Sequence, residues 1–145
     1  MDAQIFLPAF YLASWTFVVF LFATFLRFYA VFIASDELSV EGEEWRHPPF
    51  QKGSLLLKNA QRNLVNLFEF PLLFYVVCVI AYVTENVTEK FLFLAYLFLY
   101  LRIAHSGYHI FFNRLAFGGF PLRALIWLPG VLVIAAMWLD VANAI

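Results

Sequence analysis

"KNAQRNLVNLFEFPLLFYVV", Lys58 to Val77, opens with amide and charge and closes in unbroken hydrocarbon. Arg62, Asn66 and Glu69 stand in a run that otherwise reads as a membrane span. At 100° per residue the three lie within roughly 60° of one another on a helix. Each ionised group near mid-membrane costs about 2.5–3.5 kcal/mol on insertion scales. Such groups persist only where they meet partners or water, so the stretch predicts a membrane helix with one polar stripe.

The bulk composition agrees. The chain is 64% hydrophobic and 13% charged, against about 45–50% and about 25% for a soluble globule. Nineteen phenylalanines in 145 residues exceed what so small a core can hide, so many must face lipid. The length allows one domain, residues 1–145. A net charge of -1 without a concentrated basic patch argues against a nucleic-acid partner. Cys78 is alone in an apolar run, which excludes an internal disulfide and reads as inert filling. Asp2 stands where a signal peptide would carry a basic residue, so the first apolar segment is expected to be a retained helix.

A crossing helix needs about 20 mainly apolar residues. Four windows qualify, at approximately 5–34, 64–83, 91–112 and 120–141. With backbone groups satisfied inside each segment, the expected fold class is an all-α membrane protein. The one long polar connection is "SDELSVEGEEWRHPPFQKG", Ser35 to Gly53, and the first loop as a whole is taken as 35–61. Thr84 to Lys90 is a tight turn, and "NRLAFGGFP", Asn113 to Pro121, is a short loop with paired glycines and a proline stop. Arg46, Lys52, Lys58 and Arg62 flank the first loop and Arg114 and Arg123 the third, whereas the opposite side has Lys90. By the positive-inside rule, loops one and three are cytoplasmic and both termini face the other side. "NVT" at Asn86 matches a glycosylation sequon, a pattern too common to carry weight.

The third span repeats the polar stripe. Arg102, His105, His109 and Asn113 share a narrow face, with Ser106 beside it. The plain reading of both stripes is interhelical glue, with Glu69 paired to Arg102 and Arg62 reaching to the interface. His105 and His109 have metal-pair spacing but no third ligand at a convincing interval, so no metal site is expected. Pro71 cannot donate a backbone hydrogen bond and should open the helix beside Asn66 and Glu69.

"RNLVNLFEFP" resembles the second-helix signature of the MAPEG family, the membrane-associated proteins of eicosanoid and glutathione metabolism. The shared pattern is arginine, three residues, asparagine, two residues, glutamate, then proline. "LRIAHSGYHIFFNR", Leu101 to Arg114, resembles the family's third helix in its bacterial form. The resemblance implies a left-handed antiparallel four-helix bundle that forms a homotrimer. Its three sites lie between subunits, open to the cytosol and hold glutathione as co-substrate. It further implies that Arg62 clamps a glutathione carboxylate, Glu69 binds the ammonium and Asn66 satisfies peptide groups. Arg102, His105 and His109 complete the binding set, the histidines standing where better-known members carry tyrosines. Arg114 falls near the family's thiolate-stabilising arginine, with Arg123 as the alternative. The implied activity is a glutathione-dependent transferase or peroxidase acting on lipophilic electrophiles that arrive through the membrane. Some members bind lipid without catalysis, so a scaffold or lipid-binding trimer is the alternative.

Overall fold

The computed structural model describes residues 3–33 and 53–144. Residues 34–52, which include Arg46, Lys52 and most of the first loop, lie outside the described residues, as does Asp2. A 3₁₀ turn, Ala3–Ile5, leads into α1, Phe6–Phe32. Then follow α2, Leu55–Glu69, α3, Pro71–Val83, α4, Glu89–Phe111, and α5, Ala124–Ala142. Helices α2 and α3 run on as one 29-residue span, giving four spans long and apolar enough to cross a membrane among the described residues. This is the all-helical fold expected, and it fits a multi-pass integral membrane protein.

Hydropathy placed the second span at 64–83 and assigned 55–61 to the loop; the helix in fact begins at Leu55. Ser54 caps it, accepting from the Leu57 N–H at 3.2 Å, the kind of cap that contributes about 1 kcal/mol. The early turns are amphipathic, and a window that averages hydropathy cannot see a helix whose polar face is the packed one. The fourth span starts at Ala124 rather than 120 because the chain first closes a small loop. There Leu115 bridges Pro121, and the Leu122 N–H donates to the Arg114 carbonyl at 3.1 Å. Gly118 and Gly119 sit at φ 75° and 79°, the left-handed region in which a side chain is strained.

Pro71 does interrupt the second span. Phe70 separates α2 from α3, and Pro71 occupies the first turn of α3, where its missing N–H has no consequence. Around this break the core divides. One end, called here the turn end, contains the Thr84–Thr88 connection. It packs Phe74, Val77, Cys78, Phe91, Phe98 and Met137 into hydrocarbon. The Phe74 and Phe98 rings stack at 4.7 Å. The other, the loop end, contains the Asn113–Arg123 connection, and its interior is polar. Outside, Phe10, Phe25 and Phe93 are about 65% exposed, as lipid-facing side chains should be.

Candidate functional site

The polar interior at the loop end is built by α2 and α4, which pack together and against α1. Asn59 and Asn63, four residues apart on α2, are buried and turned toward α4. Asn63 donates to Ser106 Oγ at 2.6 Å. Asn59 donates to the Ile110 carbonyl at 3.3 Å and accepts from Asn113 Nδ2 at 2.9 Å. Arg123, at the start of α5, donates through Nη1 to Asn113 Oδ1. These bonds tie three helices together where apolar contact alone supplies little driving force in lipid.

The expected stripe on α4 is present and faces inward: Arg102, His105, Ser106 and His109 are all buried. Arg102 does not pair with Glu69. Its Nη2 donates to the Asn66 carbonyl at 3.1 Å, and its guanidinium sits 5.6 Å over the Phe70 ring. The geometry explains the substitution. The break at Phe70 lies beside Arg102, so backbone and an aromatic face meet the cation, while Glu69 is rotated outward. The His105 and His109 rings stand 5.7 Å apart, edge to face. Among the described residues no group of three metal-ligating side chains gathers.

On α2 the anticipated trio is split. Asn66 is half-buried, but Arg62 and Glu69 are exposed on the outer face of the single chain. Neither makes a hydrogen bond or ion pair with another described residue. Arg62 is nonetheless close to the inner cluster. His109 lies within electrostatic reach of Arg123, Arg62 and Arg102, all of them positive. His105 likewise faces Arg102 and Arg123. Among the described residues, no carboxylate acts on either ring. Arg114 follows α4 and is exposed, its side chain unbonded to other described residues.

Several buried polar atoms inside this region have no partner: Asn63 Oδ1, Arg102 Nε and Nη1, and the Nδ1 atoms of both histidines. Sequence reasoning missed Asn59 and Asn63, because the charged residues Arg62 and Glu69 drew the polar stripe one step around the helix. The signal that marks them is their own i, i+4 spacing, flanked by Leu56 and Leu67 on the packed side.

Next to the outer face of α2 lies an apolar cleft of about 490 Å³, lined by Phe17, Phe20, Leu67, Phe68 and Leu72. A charged face, a polar interior bearing Arg102 and a hydrophobic cleft thus adjoin along one helix. The sequence profile of the MAPEG family matches residues 5–143, the whole of this helical array. No curated protein and no solved structure matched. On a match of that extent, the chain belongs to the MAPEG family.

Proposed function

We propose that this protein is a glutathione-dependent transferase or peroxidase of the bilayer, acting on lipophilic electrophiles as a homotrimer of left-handed antiparallel bundles. The observation that carries the reading is the uncovered pair Arg62 and Glu69, beside a cluster whose charges are all positive. An exposed arginine and glutamate on a membrane helix are costly against acyl chains. A neighbouring subunit and a zwitterionic peptide would satisfy both. Arg62 matches a glutathione carboxylate bidentately, Glu69 matches the ammonium, and Asn66 supplies an amide to the peptide. Arg102 biases the region toward an anion, and His105 and His109 offer ring N–H donors beside it. An arginine bracketing the loop between α4 and α5, Arg114 or Arg123, would favour the thiolate left when the thiol proton passes to water. In a transfer, the sulfur then bonds to the electrophile's carbon as the leaving group departs with the bonding pair.

The basic residues at the loop end, Lys58, Arg62, Arg114 and Arg123, oppose Lys90 at the other. That bias orients the loop end to the cytosol, where glutathione is dissolved, with both termini opposite. The test is thermal unfolding of the protein in detergent with millimolar glutathione. Ligand at 100 times its dissociation constant stabilises by about 2.7 kcal/mol. The shift should vanish in Arg62→Ala and Glu69→Ala. A shift that persists in both, or none in the native protein, removes the enzyme reading. Cross-linking that yields only monomers and dimers would remove the intersubunit site.

A second reading, a non-catalytic lipid-binding trimer, is favoured by the apolar cleft beside Phe68. Glutathione binding without turnover of any generic electrophile would select it.

A further inference from the structure

We infer that Asn59 and Asn113 are positioning residues that hold Arg123, rather than Arg114, as the anion-binding group facing the glutathione sulfur. The inference rests on the function proposed above. Its basis is the direction of the hydrogen bonds. Asn59 donates to the Ile110 carbonyl, so its Oδ1 is left to accept from Asn113. Asn113, having donated there, presents its own Oδ1 to Arg123. The amide orientations are therefore set in sequence from a helix backbone, and no flip of one amide survives without breaking the next. Asn113 lies two residues beyond the end of α4 at φ 39°, a left-handed conformation that a short polar side chain tolerates better than most. That geometry lets the relay turn from α4 toward α5.

Two features separate this from a simple staple. The partner that fixes Arg123 is a neutral amide, so the guanidinium is oriented without being neutralised and its full charge remains for a ligand. Only Nη1 is used in the relay, and the residue is half-exposed, leaving other N–H donors for an anion. Arg123 is also within electrostatic reach of both His105 and His109, so it borders the buried polar interior. Arg114 has no comparable tether. An unfastened arginine must lose rotamer freedom on engaging a ligand.

The experiment uses the full chain in detergent with glutathione as the probe. Binding is read by thermal shift, and the bound thiolate by its ultraviolet absorbance across pH. Asn113→Ala and Asn59→Ala should bind glutathione within about threefold of native, yet raise the pH midpoint of the bound thiol by about one unit. Arg123→Ala should raise it further, and Arg123→Lys should recover part of the difference. Asn113→Asp, which still accepts from Arg123 but neutralises it, should raise the midpoint too and serves if the alanine variant fails to fold. A structural staple would change unfolding temperature and leave the midpoint where it was. Midpoints unmoved in the Arg123→Ala and Asn113 variants, or moved more by Arg114→Ala than by Arg123→Ala, overturn this inference alone. No binding by the native protein overturns the functional reading and this inference together.

Discussion

Around Phe74 and Phe98 the bundle is held by hydrocarbon; around Asn59, Asn63 and Ser106 it is held by amides and a hydroxyl. The contrast follows from what lipid does to each force. A buried phenyl ring gains little by leaving acyl chains, so the turn end is stabilised by close packing, as in the 4.7 Å stack. At the loop end, hydrogen bonds add direction, and a directed interior can orient a guanidinium and leave others unpaired. One end stores shape and the other stores charge.

The sharpest challenge to this contrast is Phe74→Ala. The residue is fully buried, and the cavity it leaves should cost about 2–4 kcal/mol, toward the lower side of the soluble range because transfer into lipid offsets part of the loss. Detergent unfolding measures it. A loss smaller than that of an interior asparagine would reverse the ranking of the two ends.

Arg102→Leu tests the opposite pole. The guanidinium is buried with Nε and Nη1 unpaired, so replacing it with an apolar side chain removes that desolvation cost and, less the cavity that the shorter leucine leaves, should raise stability by about 1 kcal/mol. The same variant should weaken glutathione binding. A large loss of stability would mean that the charge is compensated within the bundle. Next in size, Asn63→Ala breaks the 2.6 Å bond to Ser106 and should cost about 0.6–1.7 kcal/mol. A double-mutant cycle with Ser106→Ala should return most of that value as coupling, and additive losses would show that the bond is idle. The smallest effect belongs to the exposed Lys90–Asp140 pair, at 2.7 Å across the turn end. Asp140→Asn should cost less than about 1 kcal/mol and show little salt dependence beyond it. A larger loss would place electrostatics at the end assigned to packing.

Four spans, the break at Pro71 and the inward stripe of α4 were all legible from residue order, because length, apolarity and a missing N–H act locally. The early start of α2 was not. Its first turns are polar on the side that packs, and average hydropathy treats that side as exposed. The Glu69–Arg102 pair suggested by spacing also failed, since two charges on adjacent helices meet only if both helices are rotated to suit. The rotation of α2 instead brings Asn59 and Asn63 inward and leaves Arg62 and Glu69 outside.

By itself, then, the order of residues determined that this is a four-span membrane chain and which helices bear polar stripes, for both follow from the periodicity and transfer energy of single segments. Only the tertiary structure decided which of the two polar faces of α2 is satisfied within the chain and which is left open. That choice is the angle of a helix about its own axis, and it is set by what α4 offers across the interface rather than by anything α2 contains.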